Sequence, residues 1–73
     1  MKNMKWIRIS NELTQLNVHM KTGISQSMLS NYETGESVPT VDNLMLLAKL
    51  YKTSLDYLMD LTDEQKPYPA KNK

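Results

Sequence analysis

The apolar residues of this chain recur at intervals of three and four, and short polar breaks separate the runs in which they do so. This spacing is typical of amphipathic α-helices, and nothing resembles a strand pair or an internal repeat. It predicts an all-α domain of five helices, over about residues 4–11, 14–22, 25–33, 41–52 and 54–61. Beyond residue 61 the periodicity stops and two prolines follow, so we expect a domain at 1–61 and a flexible C-terminal tail at 62–73.

Serine and threonine residues stand where four of these helices are expected to begin. Their hydroxyl oxygens can accept hydrogen bonds from the free N–H groups of a first helical turn. The four candidate caps are Thr14, Ser25, Thr40 and Ser54. Pro39 disfavours helix at the residue before it, which places a loop ahead of the fourth helix.

Residues 22–35, TGISQSMLSNYETG, contain a helix end, a turn and a new helix. Gly23 can take the left-handed conformation that ends one helix, and Ser25 can start the next. Apolar side chains of this helix are expected to point inward, at Met28, Leu29 and Tyr32. The outer face then consists of Gln26, Ser27, Ser30 and Asn31. Short uncharged side chains suit the base edges of the DNA major groove, so the spacing predicts a DNA-reading helix-turn-helix.

Length and charge narrow the class of protein further. The 73 residues allow one domain, contain no cysteine, and include no apolar run long enough to cross a bilayer, which predicts a cytoplasmic protein with no membrane partner. Because a DNA-reading helix is expected, we expect this protein to be associated with the nucleoid. The net charge is +1, and through residue 61 six basic side chains balance six acidic ones. A neutral domain argues against sequence-blind binding to nucleic acids, which depends on many cationic contacts, but it is compatible with sequence-specific binding.

The residue types needed for catalysis or metal binding are not grouped in this sequence. His19 is the only histidine, and no cysteine or carboxylate stands three or four residues after it. The serines lack a histidine–acid set and a Gly-rich phosphate loop. We therefore expect a protein that is not an enzyme and that uses no metal and no cofactor.

Six motifs occur in order along most of the chain: LTQ at 13–15, GISQS at 23–27, LSNYETG at 29–35, the proline at 39, LLAKLY at 46–51 and SLDYLM at 54–59. Together they resemble the Xre-type, phage-repressor-like family of helix-turn-helix proteins. The resemblance implies a five-helix, lambda-repressor-like domain that binds double-stranded DNA, usually as a homodimer on a palindromic or direct-repeat operator.

Roles for individual residues follow from the same resemblance. Gln26, Ser27 and Asn31 match positions that read bases. Contacts to the DNA backbone are expected from Gln15, Ser25, Ser30, Thr34 and Ser37. Arg8 and Glu33 match a buried ion pair that links the first helix to the end of the recognition helix.

Three residues depart from the family pattern. His19 stands where alanine is usual, because the two helices of the motif cross closely there, so its ring must tilt aside or spread the helices. Glu12 stands where glycine often ends the first helix, which predicts an irregular turn. Glu36 replaces a common cation, which removes a phosphate contact and predicts weaker, site-selective DNA binding.

Apolar residues exceed what the inner faces of the helices need. The fourth helix has an inner stripe at Val41, Leu44, Leu47, Ala48 and Tyr51, with further leucines beside it. With the family resemblance, this surplus predicts a dimer interface at Leu46, Leu50, Leu58 and Met59. We interpret the methionines at 20, 28, 45 and 59 as core filler. A second apolar set, at Trp6, Ile9, Leu16 and Met20, fits packing under the first helix or a site for a protein partner, and we favour packing.

These observations lead to a functional hypothesis with one alternative. The chain is expected to be a bacterial or phage transcriptional regulator, a repressor that occupies promoter DNA as a dimer. The alternative is a protein-interaction module of the same fold, an antitoxin or anti-repressor that acts mainly through its apolar surfaces. Neutral charge, Glu36 and the set containing Trp6 favour this alternative slightly.

Overall fold

A computed structural model describes residues 1–66 of the chain. All regular elements in this range are α-helices: α1 (Lys2–Ser10), α2 (Gln15–Thr22), α3 (Gln26–Thr34), α4 (Val41–Tyr51) and α5 (Leu55–Leu58). The predicted all-α fold with five helices is confirmed. None of these helices is long and apolar enough to cross a membrane.

The four predicted caps are present at the starts of α2 to α5. The side-chain oxygens of Thr14, Ser25, Thr40 and Ser54 each accept a hydrogen bond from the backbone N–H three residues ahead, at 3.0–3.2 Å. The side-chain oxygen of Asn17 in turn accepts a hydrogen bond from the N–H of Thr14, which completes a reciprocal capping box. Local sequence therefore fixes these helix starts.

Helix α1 begins differently, because no side chain of its own caps it. The carboxylate of Asp60, which follows α5, accepts hydrogen bonds from the N–H groups of Lys2 and Asn3 at 3.1 and 2.9 Å. The buried Asn3 amide donates to the carbonyl oxygens of Tyr57 and Thr62 at 2.9 and 3.2 Å. The start of α1 is thus tied to a segment almost sixty residues away.

Three residues with side chains adopt the left-handed conformation. Glu12, Lys52 and Asp60 have φ of 59°, 57° and 65° and end α1, α4 and α5 respectively or lie just beyond them. Glu12 stands where the family resemblance predicted an irregular turn, and that prediction is wrong. The N–H of Leu13 bonds to the Arg8 carbonyl at 3.1 Å and that of Glu12 to the Ile9 carbonyl at 2.8 Å, which is a regular Schellman helix end with Glu12 in the left-handed position that glycine usually takes. Asp60 explains why α5 stops at Leu58 and not near residue 61.

The core lies where α3 packs on α1 and α2, and α5 packs on α1 and α4. Its buried side chains are Met4, Ile7, Val18, Ile24, Leu29, Tyr32, Leu44, Leu47, Tyr51, Tyr57 and Leu58. Two inward assignments were wrong, since Met28 is 38% and Val41 66% exposed. Both lie in the first turn of their helices, and the buried residues of α3 and α4 begin after them, at Leu29 and Leu44.

The expected positions of the methionines and of the second apolar set also need correction. Met20, Met28, Met45 and Met59 are all exposed, and the core methionine is Met4. Trp6, Ile9, Leu16 and Met20 do not pack beneath the first helix, because each exposes about half of its side chain or more. Helical periodicity showed that these apolar residues lie on the same helix faces, but it did not show whether those faces are buried or exposed to water.

Part of the expected tail lies within the described residues. Thr53 donates its hydroxyl to the carbonyl of Gln65 at 2.5 Å, and the Gln65 amide donates to the Tyr57 hydroxyl at 3.2 Å. Residues 62–66 are therefore held against the end of α4 and α5. The remainder of the expected tail, residues 67–73, lies outside the described residues.

Candidate nucleic-acid interface

Helices α2 and α3 are joined by a turn of three residues that hydrogen bonds to the end of α2 stabilise. Gly23 is left-handed, with φ of 80°, and its N–H bonds to the carbonyl of His19. The Thr22 hydroxyl donates to the Val18 carbonyl at 2.8 Å and accepts from the N–H of Ile24 at 3.2 Å. Because Val18 and Ile24 are buried, the angle between the two helices is fixed by the core.

The ring of His19 lies against this turn. Its Nδ1 lies 2.9 Å from the carbonyl oxygen of Ile24, and a carbonyl can only accept, so Nδ1 carries the proton. The ring therefore adds a hydrogen bond across the turn.

The outer face of α3 is polar, as predicted. Gln26 and Ser27 are exposed, whereas Ser30 and Asn31 are half-buried. These four positions follow helical spacing of i, i+1, i+4 and i+5, which places them on one side of the helix. Leu29 and Tyr32 anchor the opposite side in the core at 2% and 3% exposure. The helix thus presents two amides and two hydroxyls on a rigid support.

One carboxylate, that of Glu33, connects three parts of the site. Arg8 binds it through Nε and Nη2 at 2.7 and 3.1 Å, so the expected ion pair between α1 and α3 is present and bidentate. The Arg8 and Glu33 side chains are only 12% and 6% exposed. Arg8 also donates to the Leu13 carbonyl at 2.9 Å, which fastens the connection between α1 and α2.

Gln15, the first residue of α2, also reaches Glu33. Its Nε2 donates to Oε1 of Glu33 at 3.2 Å, and the second proton on that nitrogen is left for another acceptor. Sequence reasoning identified Gln15 but missed this contact, because nothing in the linear spacing of residues 15 and 33 indicates it. Gln15, the candidate contact to the DNA backbone, is therefore held at a fixed position relative to α3.

Charge and burial shift two pKa values around this carboxylate. The hydrogen bond and charge of Glu33 raise the pKa of Arg8 above its ordinary value, despite partial desolvation. Burial, with the nearby Glu33 charge, raises the pKa of Tyr51 well above its ordinary value. Arg8 therefore stays cationic and Tyr51 neutral at any pH at which the domain would bind DNA.

The other candidate backbone contacts differ in how their hydroxyls are used. Ser25 accepts a bond from the N–H of Met28, and its own proton is left to donate. Thr34 donates to the Asn31 carbonyl at 3.3 Å, so it must exchange that bond before it can donate to a phosphate. Ser37 is half-buried in the loop after Gly35, and its N–H bonds to the Asn31 carbonyl.

The family model described as Helix-turn-helix matches residues 4–58, most of the chain. The chain belongs to the helix-turn-helix family. The uncharacterized HTH-type transcriptional regulator YobD of Bacillus subtilis (strain 168) is 35% identical over 66 residues, which cover 90% of this chain and 59% of YobD. The uncharacterized HTH-type transcriptional regulator YqaE of the same organism is 31% identical over 72 residues, 99% of this chain and 62% of YqaE.

This helix-turn-helix chain thus spans about three fifths of the length of the curated relatives it matches. No solved structure matches it. Family membership places residues 4–58 among DNA-binding helix-turn-helix domains, and both relatives are named as transcriptional regulators.

A contact that links the recognition helix to α4 was also missed from the sequence. Asn43 donates from Nδ2 to the Tyr32 hydroxyl at 2.9 Å. Tyr32 was expected to be a core residue, and its buried ring fits that role, but its hydroxyl reaches the first turn of α4. The start of α4 is therefore held at a fixed distance from α3.

The four residues predicted for a dimer interface are not equally exposed. Leu46 and Met59 are 44% and 38% exposed, and Leu50 is half-buried against the core. Leu58 is fully buried within the domain and cannot touch a second chain, which corrects the prediction at that residue. It points inward because α5 packs on both α1 and α4.

The outer side of α4 carries an apolar surface that shares only Leu46 with the predicted interface. Met45 and Leu46 form a shallow apolar depression between Asp42 and Lys49. Met45 is 57% exposed, more than any of the four predicted interface residues. The charges at the two ends of the depression are of opposite sign.

Proposed function

We propose that this helix-turn-helix protein is a transcriptional repressor that binds a specific operator as a homodimer and represses by occupying promoter DNA. The observation that supports it best is the outer face of α3. In the described part of the chain, the side chains of Gln26 and Ser27 are exposed on a helix that the core holds rigidly. That is the arrangement that reading bases in the major groove requires.

Base reading would depend on the amides of this face. A carboxamide can donate to and accept from one adenine, a bidentate pairing that discriminates between bases by about 1–3 kcal/mol. Gln26, at the first position of α3, and Asn31, a turn and a half further on, are the amides placed for this. Ser27 adds a hydroxyl that donates or accepts.

Phosphate contacts would fix the register of the domain on DNA. Within residues 1–66, one amide proton of Gln15 has no acceptor, and the N–H groups at the start of α2 favour an anion beside it. Ser25, Ser30, Thr34 and Ser37 are the further backbone contacts that we propose. Glu36 is exposed just after α3 and would repel phosphate, which makes binding weak on non-cognate DNA.

Homodimer formation is supported by the exposed side of α4. A two-fold axis through the depression of Met45 and Leu46 would bury both copies of this surface. The opposite charges of Asp42 and Lys49 would then face each other across the axis if the helices run antiparallel. Two recognition helices would thereby address two half-sites.

Selection of bound sequences from a random duplex pool at moderate salt tests this function. A recovered inverted repeat with half-sites about one helical turn apart, bound far more tightly than scrambled DNA, is the expected result. If the folded protein enriches no motif, the proposal of a repressor is wrong. A motif that is a single half-site, bound by a monomer, would contradict the dimer alone.

A further inference from the structure

Met28 is an apolar side chain at the edge of the polar outer face of α3. It is the third residue of this helix and is 38% exposed, and no other large apolar residue of α3, all of which is described, is exposed. Single exposed apolar residues are common on protein surfaces and need no function. The position of Met28 on the recognition helix, and not its exposure alone, indicates a role.

Helical geometry places Met28 beside Asn31. Successive residues of an α-helix are about 100° apart around its axis, so Met28 lies about 60° from Asn31 and about 40° from Tyr32. Tyr32 is buried, whereas Asn31 is only half-buried. Met28 therefore lies at one edge of the outer face. Gln26, about 20° around the axis from the buried Glu33 side chain, lies at the other edge.

The first turn of α3 is the part of the helix closest to the bases when the helix lies in the major groove. In helix-turn-helix complexes the N-terminal residues of the second helix contact base edges. The Cα–Cβ bonds of a helix tilt toward its N-terminus, so the side chain of Met28 is directed toward that end. Its unbranched chain has three rotatable bonds and adapts to the surface it meets.

We propose that Met28 is a further specificity-determining residue, which selects thymine by an apolar contact with the C5 methyl group of that base. This inference rests on the proposed base reading by α3. In the major groove thymine presents an oxygen acceptor and a methyl group, whereas cytosine presents an amino donor. An apolar side chain therefore distinguishes the two pyrimidines. Because Met28 and Asn31 are neighbours, the thymine belongs to the base pair that Asn31 contacts or to the next one.

A contact with the DNA backbone does not fit Met28. A thioether has no proton to donate, so it cannot form a hydrogen bond to a phosphate oxygen. The one charged residue of α3, Glu33, is 6% exposed and paired with Arg8, so no cation of this helix brings a phosphate to the methionine. The apolar group that the major groove offers to such a side chain is the thymine methyl group.

The test uses duplexes of the selected operator in which equivalent thymines of both half-sites are replaced by deoxyuridine, one position at a time. Deoxyuridine keeps the hydrogen-bonding groups of thymine and lacks only the methyl group. At one position the replacement should weaken binding of the parent protein by about fourfold per half-site, the effect of one buried methyl group. Fluorescence anisotropy measures the affinities.

Substitution of Met28 should remove this sensitivity. Met28→Ala should bind the thymine operator about as weakly as the parent binds the deoxyuridine operator, and should bind the two duplexes equally. The sensitive thymine should lie in, or next to, the base pair whose replacement no longer changes affinity in Asn31→Ala.

Three control variants separate recognition of the methyl group from an effect on the helix. Met28→Leu keeps an apolar side chain and should retain the sensitivity to deoxyuridine, whereas Met28→Gln, which is similar in length but polar, should lose it. A purely structural role would instead change the affinity for all duplexes by the same factor. Met20→Ala, which truncates a 75% exposed methionine on α2, should respond to deoxyuridine as the parent does.

Several results would overturn the role of Met28. These are a selected operator in which no thymine is sensitive to replacement, a sensitivity that persists in Met28→Ala, or a sensitive thymine distant from the base pair that Asn31 contacts. In each case the parent still binds its operator, so the proposed repressor stands. Failure to select any operator would refute the proposed function, and with it the role of Met28.

Discussion

At the residue scale, Gln26 and Asn31 are the side chains on which discrimination between DNA sequences should depend. We expect Gln26→Ala and Asn31→Ala each to weaken binding to the selected operator by about 1–3 kcal/mol, with binding to scrambled DNA little changed. Titrations of both duplexes by fluorescence anisotropy measure this. Equal loss on the two duplexes would assign these amides to the backbone and not to bases.

Arg8 and Glu33 should matter for stability. Arg8→Ala leaves the Glu33 carboxylate, 6% exposed, without its cation, and we expect a loss of about 3 kcal/mol in the free energy of unfolding. Urea denaturation followed by circular dichroism measures it. The matched control is Lys5→Ala, on the exposed side of the same helix, which should change stability by less than about 0.5 kcal/mol. An unchanged midpoint in Arg8→Ala would mean that the pair contributes nothing.

Glu12 is strained because its φ is 59°. Glycine takes this conformation without the steric cost of a Cβ, about 1–2 kcal/mol, and loses more chain entropy on folding, about 0.5–1 kcal/mol. Glu12→Gly should therefore raise stability by up to about 1.5 kcal/mol, visible as a higher melting temperature. Glu12→Ala keeps the Cβ and should give no increase; a rise in both variants would point to the Glu12 charge instead.

Single residues also show where sequence reasoning stops. The ion pair of Arg8 with Glu33 was anticipated from a resemblance, because both partners match a family pattern. The contacts of Glu33 with Gln15 and of Asn43 with Tyr32 were not, since amide side chains pair with many partners and the choice depends on tertiary geometry. The exposure of Trp6 and Met28 was missed because helical periodicity identifies a stripe of apolar positions but does not show which of them face the core.

At the element scale, the start of α1 depends on Asp60. Asp60→Ala removes the acceptor for two N–H groups, and we expect a loss of about 0.5–2 kcal/mol in stability, as for other helix caps. Asp60→Asn keeps one acceptor oxygen and tolerates positive φ, so it should lose less. Chemical denaturation of the two variants compares them. Equal losses would show that charge, and not the cap geometry, stabilises this end of α1.

The starts of four of the five helices, α2 to α5, were predictable to within one residue because their start signals are local. Thr14, Ser25, Thr40 and Ser54 each specify a start without reference to the rest of the fold. The ends of α1 and α5 were less predictable. Helix α1 extends back to Lys2 because Asp60, distant in sequence, caps its start. Helix α5 is short because Asp60 adopts the left-handed conformation, which the sequence does not indicate since the residue is not a glycine.

At the scale of the whole molecule, dimer formation through α4 is open to direct measurement. Leu46→Glu together with Met45→Glu would place like charges across the proposed two-fold axis. We expect the variant to sediment as a monomer and to lose at least tenfold in affinity for the full operator, with the isolated fold intact by circular dichroism. Met20→Glu, on exposed α2, is the control. A parent protein that is already monomeric, alone and on DNA, would refute the interface.

The fold class of the whole molecule was predictable, because periodicity, caps and motif order all indicate one arrangement. The use of its surfaces was less so. In the sequence, the apolar residues on the outer sides of α1 and α4 cannot be told from core residues. The structure shows that they are exposed, and that two lysines accompany those on α1 and one carboxylate and one ammonium group those on α4.

The freedom of Gln26 and Ser27 has an evolutionary consequence. Within the described residues their side chains hold no hydrogen bond that the fold needs, whereas Glu33, two turns away, supports Arg8 and Gln15 together. Substitutions at 26 and 27 should therefore accumulate without loss of stability, and under the base-reading role that we propose each would change which operator is preferred. A lineage carrying this domain would then acquire new target genes by drift at two positions, while a change at Glu33 would cost stability as well.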